Sequence, residues 1–201
     1  MSITIAAAAP RDLDAIAPLL GAAFRHDPHL RGLLPASDDA ERRLTLLYRM
    51  LAGHHLRASR PIDLALDGDE LVGAAVWQPP TRRHQNRIGA GDIVTLARVF
   101  GSRLPDAGRE SSAVARVRPA EPHWYLAAIG TSERAPGTGA GRALLEHGLR
   151  RADRGGFGSH LEAATRELVP LCERFGWIDR GEIESPTPAH AVAMWRPPAD
   201  A

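Results

Sequence analysis

Three glycines on alternate positions, Gly137, Gly139 and Gly141, separate two stretches with different hydrophobic patterns. The preceding stretch, 124–129, is rich in aromatic and aliphatic residues that suit a half-buried strand. In the following stretch, 144–152, apolar residues recur every three to four positions, as on one face of a helix. Backbone N–H groups at a helix start have no partner within the helix, and the helix dipole adds partial positive charge there. The sequence therefore predicts a strand, turn and helix unit that binds a pyrophosphate or a similar anion.

The remaining hydrophobic pattern predicts the elements that position this unit. The predicted strands span 3–7, 62–66, 71–77, 124–129, 159–164, 177–183 and 189–195. The predicted helices span 13–24, 93–100, 111–117, 144–152 and 168–175. One more predicted helix follows a cap at Ser37 or Asp38 and ends near 54–57. Two polar stretches, 26–29 and 81–89, are predicted to be loops. The length of 201 residues and the 44% hydrophobic content favour one globular domain that spans 1–201.

The charged residues and the single cysteine argue against several classes of partner. The formal net charge is +1, and the basic residues are arginines without a run that would indicate nucleic acid. Because Cys172 is the only cysteine, no internal disulfide is possible and a zinc site would lack the usual thiolates. No stretch approaches the ~20 apolar residues that a membrane-spanning helix needs. We therefore expect a cytoplasmic protein with no metal, no nucleic-acid partner and no membrane partner.

Four segments follow one another between 123 and 177: the strand HWYLAAIG, the turn GTGAG with its helix, a strand containing LEA, and PLCERFGW. Together they resemble the acyl-coenzyme A-binding core of the GNAT acetyltransferase superfamily. The segments RDLDAIAPLLGAAFRHDP and GAAVWQPP are similar, in the same order, to puromycin N-acetyltransferase and its relatives. The resemblance implies an α/β (α+β) fold with a central, mixed, mostly antiparallel sheet and helices on both faces. It also implies a gap where the fourth and fifth strands part to admit the cofactor.

The resemblance implies that acetyl-coenzyme A (acetyl-CoA) is the cofactor and the acyl donor. In this family, the segment 128–131 would bind the pantetheine arm through its backbone, and the turn 137–142 would wrap the pyrophosphate. Nearby arginines would add charge-assisted contacts. The expected cofactor-binding residues are Ala128, Ile129, Gly130, Thr131, Arg134, Gly137, Thr138, Gly139, Ala140, Gly141 and Arg142.

Two positions depart from the family pattern. The turn usually begins with Gln or Arg, but Pro136 stands here and has no N–H to donate. It either only rigidifies the loop or weakens cofactor binding. Many family members carry, at the position of Cys172, a Tyr whose hydroxyl protonates the leaving thiolate. A thiol with a reference pKa of about 8.5 either donates that proton through a water molecule or is a small buried packing residue.

The expected reaction transfers an acetyl group from a thioester to an amine. Backbone N–H groups of the segment 127–131 are expected to orient the thioester and to stabilise the oxyanion. His123 begins the strand where some superfamily members place a carboxylate base, and the imidazole pKa near ~6.5 suits proton removal at neutral pH. Glu162 on the neighbouring strand is the second candidate base, acting through water. The structural alternatives are a polar surface histidine and a solvated or paired carboxylate.

The resemblance places the acceptor beside the loop after the first helix and beside the strands that face the thioester. The expected acceptor-binding residues are His26, Asp27, His29, Trp77, Trp124 and Tyr125. An acid with aromatic faces suits a cationic amine, so the first predicted function is N-acetylation of the primary amine of a small molecule, such as an antibiotic or a metabolite. The alternatives are a protein N-acetyltransferase and a non-catalytic acyl-CoA-binding regulatory domain. We expect a monomer or a homodimer.

Overall fold

Seven strands form one sheet in the computed structural model, which describes residues 2–80, 89–187 and 189–199. In chain order the strands are β1 (Ile3–Ala7), β2 (Ile62–Asp67), β3 (Glu70–Gln78), β4 (Trp124–Thr131), β5 (Ser159–Ala163), β6 (Ile178–Glu182) and β7 (Val192–Arg196). Their order across the sheet is β1-β2-β3-β4-β5-β7-β6. Neighbouring strands are antiparallel except β4 and β5, which run parallel. The predicted mixed, mostly antiparallel sheet is confirmed.

Helices cover both faces of the sheet. They are α1 (Leu13–Ala23), α2 (Pro28–Leu33), α3 (Ala40–Arg57), α4 (Ala90–Phe100), α5 (Leu104–Val117), α6 (Ala140–Arg154) and α7 (Val169–Glu173). The core on the α6 side contains Trp77 and Leu144, and the core on the side of α1 and α3 contains Val76, Leu20 and Leu44. Neighbouring residues of β3 thus enter opposite cores, because successive side chains of a strand point to opposite faces. Because β3 is covered on both faces, its residues 71–77 form a continuous apolar run.

The polar stretch 26–29, which the sequence predicts to be a loop, contains the start of α2. The side chain of Asp27 accepts a 2.8 Å hydrogen bond from the N–H of Leu30 and caps this helix. Pro28 takes the first helical position, where a missing N–H has no effect. The loop predicted at 81–89 lies, but for its last residue, outside the described residues.

The two central strands β4 and β5 are joined by only two residue pairs. Trp124 lies opposite Ser159, and Tyr125 lies opposite His160. Past these pairs the two strands separate, while β3 continues to pair with the other edge of β4. The gap expected between the fourth and fifth strands is therefore confirmed, and Tyr125 and His160 stand at its closed end.

A β-bulge in β4 lies next to this separation. Val76 of β3 lies opposite Ala128, whereas the next residue, Trp77, lies opposite Leu126. Ala127 is therefore an extra residue without a register partner on β3. A bulge bends its strand and increases the local twist, so it favours the divergence of β4 from β5.

The longest described helix, α3, has 18 residues and buries only one side, with Leu44, Tyr48 and Ala52 among its buried residues. Among the residues that the structure describes, no helix has both the length and the apolar character needed to cross a membrane.

Candidate active site

A cavity of about 650 Å³ lies where β4 and β5 part. Its two facing walls are residues 126–131 of β4 and residues 161–164, which begin in β5. Further lining residues come from both helical layers: Ala23, Phe24, His26, Asp27, Glu133, Gly141, Arg142, Leu145, Leu168, Leu171, Cys172, Phe175 and Trp177. Because both layers contribute, the cavity passes through the sheet at the gap.

One edge of β4 is open toward this cavity. Beyond Tyr125, the edge of β4 that faces β5 pairs with no strand among the described residues. The other edge pairs with β3 as far as Thr131. Backbone N–H and C=O groups of residues 126–131 therefore point alternately into the gap. Because buried backbone polar groups need partners, this edge suits an extended ligand with amide groups, such as a pantetheine arm.

The glycine turn leads directly into α6. Gly137 and Gly139 have φ angles of 71° and 79°, which glycine adopts without the steric cost that other residues meet. Gly139 is the N-cap, and no side chain among the described residues caps this end of the helix. Since the first N–H groups of a helix have no intrahelical partner, they remain available to an anion. Gly141 and Arg142, in the first turn of α6, line the cavity.

The side chains around the turn are largely exposed. The Arg142 side chain is 77% exposed and its Nε donates a 2.7 Å hydrogen bond to Glu146. Arg134 is exposed and lines a neighbouring groove beside α1 instead of this cavity. The hydroxyl of Thr138 donates a 3.1 Å hydrogen bond to the carbonyl of Ala135. This bond holds the turn closed and leaves the hydroxyl oxygen able to accept.

The residues predicted to bind the cofactor fall into two groups. Those that line the cavity are Ala128, Ile129, Gly130, Thr131, Gly141 and Arg142. Those that form the turn before it or the first residue of α6, without lining the cavity, are Arg134, Gly137, Thr138, Gly139 and Ala140. Pro136 is exposed in the same turn. The pattern of residues thus fits a ligand that lies along β4 and ends at the start of α6.

A hydrogen-bonded group surrounds Glu162, whose side chain is 13% exposed and lines the cavity. The hydroxyl of Tyr125 donates a 2.6 Å hydrogen bond to Glu162 Oε2. Nε2 of His160 lies 3.0 Å from Glu162 Oε1, and Nε of Arg118 lies 3.7 Å from the same oxygen. A carboxylate held on both oxygens has a fixed direction. The remaining lone pairs of Glu162 are available to a group in the cavity.

His123, the first candidate base, does not line the cavity. Its side chain is fully buried, and Nδ1 lies 2.7 Å from the carbonyl oxygen of Glu121. Its ring meets those of His160 and Trp195 edge-on, with centroids 5.8 Å apart in both cases. The structure therefore places His123 behind His160, and not where a substrate in the gap would touch it.

Cys172 lines the cavity from α7 and also packs against the core on the α6 side. Burial, with a smaller effect from the neighbouring Glu173, raises the pKa of the Cys172 thiol to about 11. The thiol is therefore protonated at neutral pH, and it is a weaker acid than an ordinary thiol. A weaker acid is less able to protonate a leaving thiolate, so this environment favours the packing role for Cys172.

Two residues predicted to bind the acceptor, Trp77 and Trp124, belong instead to the core on the α6 side. Trp77 is fully buried, and its ring packs directly against Gly148 of α6. The Arg151 guanidinium carbon lies 4.8 Å from the centroid of the Trp124 ring. Neither residue lines the cavity, because alternate side chains of a strand point to opposite faces. Only Tyr125, on the other face, reaches the polar group at Glu162.

Of the three predicted acceptor-binding residues near α2, two line the cavity and one does not. His26 and Asp27 line the cavity. His29 does not: its Nε2 lies 3.2 Å from Glu110 of α5, and its Nδ1 lies 3.1 Å from the carbonyl oxygen of Ala189. Burial raises the pKa of Asp27 above its usual value, although its hydrogen bond from the helix and the nearby His29 act in the opposite direction. Asp27 is thus a carboxyl whose charge a cationic ligand would stabilise.

Two members of the group around Glu162, His160 and Arg118, are not among the site residues predicted from the sequence. The alternation of His160 and Glu162 along one strand face is visible in the sequence, and it signals two polar side chains on the same side of the sheet. Arg118 gave no such signal, because it lies in the connection between α5 and β4. Phe24 also lines the cavity, and the centroid of its ring lies 5.1 Å from that of Tyr48. Because it fits the apolar pattern of the first helix, nothing in the sequence distinguishes it from a core residue.

Comparison with known proteins identifies the family. The model of the acetyltransferase (GNAT) family matches residues 31–177. A Corynebacterium glutamicum structure described as histone acetyltransferase HPA2 and related acetyltransferase is 33% identical, covers 100% of this chain and 99% of its own, and has a TM-score of 0.79. The polyamine N-acetyltransferase of Drosophila melanogaster shares the fold at 17% identity, with 96% and 98% covered and a TM-score of 0.63. So does arylalkylamine N-acetyltransferase 2 of Aedes aegypti at 13% identity, with 97% and 98% covered and a TM-score of 0.66. The chain therefore belongs to the GNAT family of acyl-CoA-dependent acetyltransferases.

Proposed function

We propose that this chain transfers the acetyl group of acetyl-CoA to the primary amine of a small molecule. The observation that carries the proposal is a single cavity lined by the start of α6, by the open edge of β4 and by the carboxylate of Glu162. Acetyl-CoA, when bound, supplies a thioester whose acyl carbon an amine can attack. The amide-rich pantetheine arm and the pyrophosphate match the polar groups that line this cavity.

The donor would be held mainly by backbone groups. N–H and C=O groups of residues 126–131 face the gap and would bind the pantetheine amides. The N–H groups at the start of α6 would bind the pyrophosphate, aided by the helix dipole and by the guanidinium of Arg142. Pro136 is exposed at the outside of the turn, so we assign to it the role of fixing the loop.

Glu162, and not the buried His123, is the proposed base. An amine reaches the site as an ammonium ion at neutral pH, and it must lose a proton before it can attack. The carboxylate of Glu162 lines the cavity and would accept that proton, directly or through one water molecule. The hydrogen bond from the Tyr125 hydroxyl keeps the carboxylate aimed at the gap. Cys172 is proposed to be a wall of the cavity.

A small cationic amine fits the acceptor side best. Asp27 and His26 line the cavity together with Phe24, so a carboxyl and an aromatic ring lie beside the path to Glu162. These groups attract an ammonium ion through charge and through the ring face. Proteins that share this fold are named for small amines, namely agmatine, polyamines and arylalkylamines.

A protein amine is the second candidate acceptor. The observation in its favour is the Corynebacterium glutamicum relative at 33% identity, whose description includes a histone acetyltransferase. A peptide would have to extend from the cavity across the protein surface. Its lysine side chain would then present the same ammonium group to Glu162.

The test combines binding with turnover. Acetyl-CoA should raise the unfolding temperature, and thiol release should follow only when an accepted amine is present. The amine panel should contain diamines, arylalkylamines, aminoglycosides, free lysine and lysine-containing peptides, with acetylated products identified by mass spectrometry. Faster turnover of small amines than of peptides supports the first candidate, and the reverse order supports the second. Stabilisation by acetyl-CoA without turnover on any amine or peptide would contradict both and indicate a non-catalytic acyl-CoA-binding domain.

A further inference from the structure

Arg118 reaches the group around Glu162 from outside the two central strands. It is the first residue after α5, and its extended backbone, with φ −67° and ψ 136°, leads the chain away from the helix. Its side chain is only 21% exposed. Its Cζ atom lies 3.8 Å from the centroid of the Tyr125 ring, which is close for a cation on an aromatic face. Arg118 therefore covers the ring whose hydroxyl binds the proposed base.

Among the described residues, Arg118 is also the only arginine within ion-pair distance of Glu162. Its Nε lies 3.7 Å from Glu162 Oε1, which is within ion-pair reach but too long for a hydrogen bond. Oε1 also lies 3.0 Å from His160, and Oε2 accepts the hydrogen bond from Tyr125. The carboxylate is thus bound directly by two neighbours, whereas Arg118 acts on it through charge and through Tyr125.

The surroundings of Tyr125 explain why a cation matters there. Burial and the adjacent charge of Glu162 raise the pKa of Tyr125 well above its usual value, and Arg118 opposes that rise. The hydroxyl therefore stays protonated at working pH and always donates to the carboxylate. A cation on the ring face also restrains the ring, since both are largely buried.

We propose that Arg118 is a positioning residue for Glu162: it fixes the Tyr125 ring and stabilises the ionised carboxylate that receives the proton of the amine. No bond to Arg118 forms or breaks, and the proton passes from the amine nitrogen to a Glu162 oxygen. The inference rests on the proposed function, because it assigns Arg118 through the base of that reaction. It predicts that Arg118 affects turnover and its pH dependence more than cofactor binding.

The chain contains a matched comparison on the opposite face of the sheet. Arg151 of α6 lies over the Trp124 ring at 4.8 Å and donates two hydrogen bonds, of 3.0 and 2.9 Å, to Asp63. Arg118 and Arg151 thus each combine an aromatic ring with a carboxylate. None of Arg151, Trp124 and Asp63 lines the cavity. Substituting Arg151 tests the loss of such a cluster without touching the site.

The experiment compares Arg118→Gln, Arg118→Lys and Arg151→Gln with the wild type, on the best amine of the panel and from pH 6 to pH 9. For Arg118→Gln we expect kcat to fall about threefold at pH 6 and less at pH 8.5, because the ionised carboxylate loses its nearby cation. KM for acetyl-CoA should stay within about twofold. Arg118→Lys, which keeps the charge but not the planar group, should recover part of the loss at low pH. Arg151→Gln should lower the unfolding temperature and leave the shape of the pH profile unchanged.

Two results would overturn the inference. One is wild-type kcat and an unchanged profile in Arg118→Gln. The other is a loss that is equal at every pH and no smaller in Arg118→Lys, which would make Arg118 a purely structural residue. If Arg118→Gln does not fold, the pH profile of kcat in Arg118→Lys tests the inference. We then expect Arg118→Lys to have a lower kcat than the wild type without being inactive, and to lose most of its activity at low pH. Failure of the proposed function looks different, because the wild type itself would then acetylate no amine.

Discussion

The hydroxyl of Tyr125 donates a 2.6 Å hydrogen bond to Glu162 across the point where β4 and β5 separate. Tyr125 belongs to the last residue pair that joins the two strands. Glu162 lies two residues beyond that junction, on the arm of β5 that has left β4. A carboxylate is thereby fixed at the closed end of the gap, beside the backbone edge that suits an acyl donor. This relationship links the separation of the strands to the chemistry that we propose.

Arg142→Ala should weaken acetyl-CoA binding, whereas Arg150→Ala should not. Both arginines pair with Glu146 at i,i+4 spacing, at 2.7 and 3.9 Å, and both are more than half exposed. Only Arg142 lies in the first turn of α6 and lines the cavity. A charge-assisted contact of an exposed arginine is worth about 1 kcal/mol, or about a fivefold change in Kd. Titration calorimetry measures this, and equal losses in both variants would contradict the assignment.

Cys172 should react slowly with iodoacetamide and should be dispensable for turnover. Burial raises the pKa of its thiol to about 11, so fewer than about one in a thousand molecules carry the thiolate at pH 7.5. Acetyl-CoA should slow the alkylation further, because Cys172 lines the cavity. Cys172→Ala should keep kcat within about threefold of wild type. A fall of a hundredfold or more, with KM unchanged, would instead make the thiol the proton donor.

Gly148→Ala should destabilise the protein, and Gly108→Ala should not. A Cβ at Gly148 would overlap the fully buried ring of Trp77, whereas a Cβ at Gly108 of α5 would meet nothing within 4 Å. Overpacking in a core costs about 1–3 kcal/mol. Replacing an exposed glycine in a helix by alanine gains about 0.5–1 kcal/mol. Urea unfolding of both variants checks this, and a more stable Gly148→Ala would contradict the close packing of α6 on the Trp77 ring.

His29→Leu should reduce stability most between about pH 4.5 and pH 6.5. Burial disfavours the charged ring of His29, but the contacts to Glu110 and to the Ala189 carbonyl raise its pKa overall. Its contribution to folding stability is therefore present at low pH and is lost as pH rises. Burial acts against the charge of Glu110 too, yet its close contacts with His29 and Ser185 lower its pKa, so its contribution to stability is lost as pH falls. The stabilisation from His29 and the stabilisation from Glu110 are both fully present only between the reference pKa values of glutamate and histidine.

Within that window we expect the substitution to cost about 3 kcal/mol, because it leaves a buried carboxylate unpaired. The other charged groups near this pair, Asp27 and His190, are retained in the variant. His29→Leu combined with Glu110→Gln should be less damaging than His29→Leu alone, since no charge is then buried. Urea unfolding at pH 5.5 and pH 8.5 measures both effects. A loss that is the same at both pH values would contradict the ion pair.

The strand, turn and helix unit that we propose to bind the cofactor was predictable from the sequence because its signals are local. The glycines at 137 and 139 adopt the positive φ angles that favour glycine, and the predicted helix follows the turn, although it begins at Ala140, four residues before the predicted span 144–152. The gap between β4 and β5 followed from the family resemblance, and the structure confirms it. Such features depend on neighbouring residues or on a shared fold, so a single sequence contains them.

The acceptor side was less predictable because it depends on which face each side chain takes and on distant partners. Trp124 and Tyr125 are adjacent in sequence, yet one enters the core and the other bonds Glu162. His29 was separated from the site by its pairing with Glu110, which lies in a different helix. Arg118 became part of the site through tertiary packing alone. Contacts of this kind leave no periodic signal in the sequence.

The most direct test of the central claim is acetyl transfer by the wild type and by Glu162→Gln, measured as thiol release and as the mass of the acetylated amine. We predict that the wild type acetylates a small primary amine and that Glu162→Gln lowers kcat by about 10²–10⁴-fold while binding acetyl-CoA as tightly as the wild type. The matched variant Glu167→Gln, at an exposed position outside the cavity, should keep wild-type kcat. Undiminished turnover in Glu162→Gln would contradict its role as the base, and no acetylated product from the wild type would contradict the proposed function itself.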